Sequence, residues 1–139
     1  MPITQSDVLY TAVATAENGR DGRVATDDGR LDVVVNPPAQ MGGSGAGTNP
    51  EQLFAAGYSA CFQGALAVVA RQEGADVSGS TVTAKVGIGR NEEGFGIIVE
   101  ISAHIPNADA ATARALVEKA HQVCPYSKAT RGNISVTLA

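Results

Sequence analysis

From residue 52 to residue 70 the chain carries no charged side chain, and apolar or small residues fall on every side of a helical projection. That is the pattern of a helix surrounded by protein rather than one lying on a surface. Asn49 is a good N-cap, Pro50 suits the first helical position, and Gln52 stands where a capping-box partner belongs. With Gly74 at the far end, the spacing predicts a central, buried helix over 50–73. Ala56, Gly57, Ala60 and Gly64 recur along it at three- and four-residue intervals and leave a flat strip that another backbone can approach closely. Glycine there costs helix propensity, which packing must offset. A charge-free run of this length could span a bilayer, but Gln52, Ser59 and Gln63 break its apolar character, so it reads as a core helix and not a membrane span.

The flanking segments alternate instead. Residues 8–16 favour a strand, Gly19 to Gly22 punctuate it, a short strand follows at 23–26, and Asp28-Gly29 reads as a tight turn into the valine-rich 31–35. The amino-terminal third is therefore an antiparallel meander. Residues 36–48, with Pro37-Pro38 and glycines at 42, 43, 45 and 47, read as a flexible lid or connection. They have neither the Gly-Lys-Ser/Thr ending nor the G-x-G-x-x-G spacing of a phosphate-binding loop.

After the central helix, Val82, Ala84, Val86 and Ile88 alternate on one face, and so do Phe95, Ile97, Val99, Ile101 and Ala103. With Asn91 to Gly94 as the turn, this is a long hairpin. Pro106 ends it, and Asn107 is placed to cap a second helix from about Ala108 to Val123, on which Leu116, Ala120, Val123 and Cys124 share a face. Cys124 therefore looks inward, just before Pro125. Ile134, Val136 and Leu138 alternate in a final strand. The order is strands, helix, hairpin, helix, strand, an α+β class in a single domain over 1–139 with no repeats.

At 139 residues such a chain buries about two thirds of its unfolded surface without staples. A net charge of −4 with scattered basic residues gives no footprint for a nucleic acid backbone. The start, Met-Pro-Ile-Thr-Gln-Ser-Asp, has no basic region followed by an apolar one, so the expected location is the cytoplasm. The two cysteines are then reduced at rest, and a disulfide between them would be transient and catalytic rather than structural.

Cys61 sits mid-helix, where burial alone makes an inert thiol; reactivity demands a nearby positive charge. A small buried core residue is the simpler reading of such a cysteine. Candidates for the charge are Arg20 and Arg23 in the Gly-Arg-Asp-Gly-Arg turn, Arg71 about three turns down the helix, and Arg131. Glu51 lies about 15 Å from Cys61 along the axis, so the two meet only if helices of two chains pack antiparallel along the small-residue strip. His121 and Cys124 have a spacing that metal ligands use, yet with His104 as the one other histidine and no Cys-x-x-Cys pair a full ligand set is hard to assemble. A Cys-His hydrolase, with His121 or His104 as base, stays open.

Asn-Pro-Glu-Gln-Leu-Phe-Ala-Ala-Gly-Tyr-Ser-Ala-Cys-Phe at 49–62 and His-Gln-Val-Cys-Pro-Tyr-Ser-Lys-Ala-Thr-Arg-Gly-Asn at 121–133 closely resemble the two cysteine motifs of the organic hydroperoxide resistance (Ohr) branch of the Ohr/OsmC family. Gly-Arg-Asp-Gly-Arg at 19–23 and Lys-Val-Gly-Ile-Gly at 85–89 match as well, so the resemblance covers essentially the whole chain. It implies an OsmC-like α+β fold of antiparallel sheets packed around two helices, in an intertwined homodimer with sites at the subunit interface. By position Cys61 would be the peroxidatic cysteine, Cys124 the resolving one, Arg20 the arginine and Glu51 the carboxylate that orients it.

The implied activity is that of a thiol-dependent peroxidase, an antioxidant of the oxidative stress response. It would reduce alkyl and fatty-acid hydroperoxides to alcohols through a Cys61 sulfenic acid and a Cys61–Cys124 disulfide, recycled by dihydrolipoyl groups on proteins, with no metal, flavin or other bound cofactor. Phe54, Tyr58 and Phe62 around Cys61 suit a greasy substrate, although core packing explains these aromatics equally well. An OsmC-type peroxidase of broader specificity, a Cys-His thiol hydrolase and a non-enzymatic binding domain are the competing readings.

Overall fold

The computed structural model describes all 139 residues, which gather into two compact units, residues 1–50 and residues 51–139. In the first unit β1 (Ala14–Glu17), β2 (Gly22–Thr26) and β3 (Asp32–Val35) form the expected antiparallel meander, in that order. The first strand is shorter than the sequence suggests. Ala14 already pairs with Thr26, the last residue of β2, so residues 8–13 have no strand to pair with, and Leu9 and Tyr10 are exposed. Arg23 grips Asp32 with both ends of its guanidinium, at 2.7 and 2.6 Å.

The glycine-rich stretch, expected as a flexible lid or connection, is a connection closed by its own hydrogen bonds. It turns through a short 3-10 segment at Ala39–Met41, and the Gly45 N–H donates to the Pro37 carbonyl. The Asn36 and Thr48 N–H groups then donate to the carbonyls of Thr48 and Val34. Gly47 is required there, because a Cβ would stand 2.5 Å from the Val34 carbonyl oxygen.

In the second unit α1 (Pro50–Glu73) has the predicted span. Its burial is one-sided: Tyr58, Phe62, Ala65, Leu66, Val69 and Ala70 are buried, whereas Ala56, Ala60, Gly64 and Val68 on the opposite stripe are exposed. A helix apolar all round therefore leaves its second face uncovered within residues 51–139. Gln63 ties α1 to the loop beyond it, donating to the Ser80 carbonyl at 2.8 Å.

β4 (Thr81–Asn91) and β5 (Gly94–His104) form the long hairpin, in a register that opposes Val86 to Val99 and Ala84 to Ile101 on the inner face and Lys85 to Glu100 on the outer. Phe95 keeps the parity of that inner face but lies at its open end, exposed, beneath the Arg90 guanidinium. β6 (Val136–Leu138) adds to β5 in parallel, so this sheet is mixed and not wholly antiparallel.

α2 (Ala110–Val123) is capped by Asp109, whose carboxylate accepts from the Thr112 N–H, and not by Asn107, which donates to Asp76 instead. A third helix, α3 (Pro125–Thr130), follows where two helices were expected. The core joins Tyr58, Phe62, Leu66 and Val69 of α1 to Val99 and Ile101 of β5, Leu116, Val117 and Ala120 of α2, and Cys124. Val123 lies off that face and is exposed; Val117 takes the place expected for it.

Candidate active site

Pro125 creates the site's geometry. It clashes with a helical conformation in the residue before it, so Cys124 adopts an extended one (φ −61°, ψ 123°) and α2 stops. Proline then suits the first position of α3. Cys124 thus ends one helix and starts the next: its N–H donates to the Ala120 carbonyl at 2.8 Å, and its own carbonyl accepts from Lys128 at 3.0 Å. Its side chain is fully buried and points at α1, where the Cys124 sulfur stands 3.7 Å from that of Cys61. Both are free thiols, and Cys61 is partly exposed.

α3 is docked by hydroxyls. The Tyr58 hydroxyl, on a side chain with no exposure, bonds the Ser127 hydroxyl at 2.8 Å and the Thr130 hydroxyl at 3.1 Å, and the Ser127 hydroxyl also meets His121 Nδ1 at 2.7 Å. No buried side-chain polar atom is left unpaired. Burial, and then the Arg131 charge, hold the His121 ring below its ordinary pKa of 6.5. Burial pushes the Cys61 thiol up, the nearby Tyr126 backbone amide pulls it down, and the neighbouring Cys124 pushes it up again.

An apolar cleft of about 520 Å3 opens beside this junction, lined by Phe54, Ile97, Pro125, Tyr126, Ala129 and Ile134 among others. Of the three aromatics expected to meet substrate, only Phe54 reaches it. Tyr58 and Phe62 are sealed in the core with no exposed surface, so they support the site instead of lining it. The exposed Tyr126 takes their place, in edge contact with Phe54. Sequence reasoning passed over Tyr126, Ser127 and Thr130, although Pro125 followed by Tyr-Ser-Lys-Ala-Thr carries a helix-start signal.

Arg20 lies exposed in the turn between β1 and β2. Glu51 is half-buried in the first turn of α1, and ten residues of one helix separate it from Cys61. Of the other cations considered for Cys61, Arg23 holds Asp32, Arg131 donates to the His121 carbonyl, and Arg71 is exposed in the last turn of α1. No group of three or more His, Cys, Asp or Glu side chains gathers to hold a metal ion. Neither histidine is a partner of Cys61: His121 Nδ1 is bonded to Ser127, and His104 is exposed at the end of β5.

The fold and site define a mixed α+β protein with a close pair of thiols at a helix junction. The family model for OsmC-like proteins matches residues 42–139. The organic hydroperoxide resistance protein of Xanthomonas axonopodis pv. citri is 55% identical over 133 residues, 94% of each chain. The crystal structure of an organic hydroperoxide resistance protein from Elizabethkingia anophelis superposes with a TM-score of 0.89 at 53% identity, covering 94% of this chain and 95% of that one. That of Bacillus subtilis superposes at 0.86 and 45% identity, covering 94% and 98%. The chain belongs to the OsmC-like family, within its organic hydroperoxide resistance branch.

The lowered pKa of His121 has a consequence for stability. An imidazole that resists protonation in the fold binds fewer protons than it does unfolded. Its contribution is therefore complete above pH 6.5 and is lost as pH falls from there toward the folded value. The urea midpoint of the parent should drop between pH 8 and pH 5 (about one and a half units either side of that ordinary value), and His121→Gln should flatten the drop. Equal slopes in the two proteins would remove His121 from the account.

Proposed function

We propose that this protein is a thiol peroxidase that reduces organic hydroperoxides to alcohols, with Cys61 as the attacking sulfur and Cys124 as the resolving one. The observation that carries the reading is the pair of free sulfurs 3.7 Å apart beside an apolar cleft. The partly exposed thiol is the one placed to meet a peroxide; the buried one is placed to meet only the first.

The Cys61 thiolate attacks the terminal peroxide oxygen, the O–O bond breaks, and the alkoxide takes a proton and leaves as the alcohol. Cys61 is then a sulfenic acid. The Cys124 sulfur attacks it, an S–S bond forms and water leaves. An external dithiol supplies two electrons and two protons by exchange through a mixed disulfide. By the family resemblance that dithiol is a dihydrolipoyl group on a protein, and no cofactor is bound.

Burial works against the thiolate, and α1 carries no charge between Glu51 and Arg71, so the first step needs a cation from outside that span. We assign that part to Arg20, oriented by Glu51, on the strength of the family resemblance. The chain is read as an intertwined homodimer in which the open stripe of Ala56, Ala60 and Gly64 faces a second copy. The relatives' printed names favour the organic hydroperoxide reading over broader peroxidase specificity. The commitment of His121 to Ser127 disfavours a Cys-His hydrolase.

One equivalent of an organic hydroperoxide should cost the reduced protein two hydrogens and yield a Cys61–Cys124 crosslink in a non-reducing peptide map. Cys61→Ser should show no reaction, and Cys124→Ser should stop at the sulfenic acid and over-oxidise with further peroxide; equal behaviour in all three ends the proposal. Arg20→Ala should slow the first step and raise the pH at which Cys61 ionises, whereas a thiol that titrates as in the parent would give Arg20 the wrong role. Size-exclusion chromatography with activity measured across the peak should place turnover in a dimer, and a fully active monomer would contradict it.

A further inference from the structure

Two links tie α1 to the junction that follows α2, and they run side by side. The Cys61 and Cys124 sulfurs stand 3.7 Å apart. Tyr58, three residues before Cys61, bonds at 2.8 Å to Ser127, three residues after Cys124. Residues three apart neighbour one another along a helix, so the hydroxyl pair lies about one turn from the thiol pair.

The Ser127 hydroxyl has a second partner, His121 Nδ1 at 2.7 Å, in the last turn of α2. With one proton to give and lone pairs to accept, it can serve both partners at once. Ser127 has no exposure, so water does not compete for it. The bond to His121 spans Cys124, the one residue between 121 and 127 whose backbone is not helical. The angle at which α3 leaves α2 is therefore set at Cys124, and the bond across it holds that angle. One buried hydroxyl thus joins all three helices around the two sulfurs.

We propose that Ser127 is a positioning residue for disulfide formation: bonded at once to Tyr58 and His121, its hydroxyl fixes the backbone turn at Cys124 and keeps the Cys124 sulfur within reach of Cys61. A sulfur already held beside its partner loses little freedom when the bond closes, whereas one on a swinging segment must first be brought back. The role rests on reading Cys61 and Cys124 as the pair that closes, but closure can be followed in a thiol redox buffer with no peroxide present. Other contacts keep α3 on α1 when the serine is altered. Tyr58 retains Thr130 at 3.1 Å, and the Tyr126 ring rests on Gly57, where a Cβ would stand 2.6 Å from Tyr126 Oη.

The test equilibrates the protein with mixtures of reduced and oxidised glutathione and reads the disulfide fraction, which gives the effective concentration of one thiol toward the other; circular dichroism checks folding. Ser127→Ala should lower that concentration by about tenfold, the size of one or two buried hydrogen bonds. In the same variant the first equivalent of an organic hydroperoxide should be consumed at the parent's rate, while the sulfenic acid, trapped by dimedone, persists longer. Tyr58→Phe, which leaves Ser127 bonded to His121, should also lower the effective concentration, and it decides the matter if Ser127→Ala fails to fold. A serine that only supports the fold would lower the urea midpoints of the reduced and oxidised proteins alike and leave the effective concentration unmoved. That result in folded Ser127→Ala overturns the proposal, as does an unmoved value in folded Tyr58→Phe. If the effective concentration falls as expected and yet the parent forms no disulfide with an organic hydroperoxide, the positioning role stands and the peroxidase reading falls.

Discussion

A phenol hydroxyl cut off from water must find partners in the protein or cost the fold about 1–3 kcal/mol. Tyr58 sits on α1 with no exposed surface, and its partners are Ser127 and Thr130, three residues apart on the inward face of α3. Meeting that one requirement fixes where α3 lies against α1. Cys124, Pro125 and Tyr126 then have little freedom left, since the first leads into the docked helix and the other two belong to it. The approach of the two sulfurs follows from a buried polar contact, not from any direct attraction between thiols, which is weak.

Much of this was legible in the sequence, and the reason is periodicity. The span of α1, the β4–β5 hairpin and the inward aim of Cys124 all follow from apolar spacings repeated several times over. What was missed lacks such repetition. α3 is six residues long, too short for a helical period to declare itself, and is held by tertiary contacts. The parallel β6 is three residues whose partner nothing local dictates. At the start of α2, Asn107 and Asp109 are equally plausible caps by residue type, and the choice fell to Asp76, which takes the Asn107 side chain.

The site divides in the same way. Cys61 and Cys124 carry their own chemical signature, so they were identifiable before any geometry was known. The aromatics were harder, because a helix with apolar residues on every side does not say which of Phe54, Tyr58 and Phe62 faces the core. Burial settles it: Tyr58 and Phe62 go inside, and Phe54 goes to the cleft with Tyr126, a residue from a distant part of the chain. Gly57 looked like part of a bare strip with Ala56, Ala60 and Gly64. The structure separates it from them, since its face of the helix is occupied and theirs is open.

The same docking bears on how a disulfide would close. From 3.7 Å the sulfurs must approach by roughly 1.7 Å to reach bonding distance. The Cys124 backbone cannot supply that travel alone, because its N–H serves α2 and its carbonyl serves α3. Sliding α3 against α1 would pull on the Tyr58, Ser127 and His121 contacts and on the ring seated at Gly57. Rotation about the side-chain bonds of Cys61 and Cys124 moves sulfur while leaving those contacts whole, and it is the smaller disturbance of a close-packed core. Cys124 at its helix junction is thus held by its backbone and free in its side chain, which would suit the resolving role proposed for it, that of a sulfur that waits close to its partner and then moves a short way.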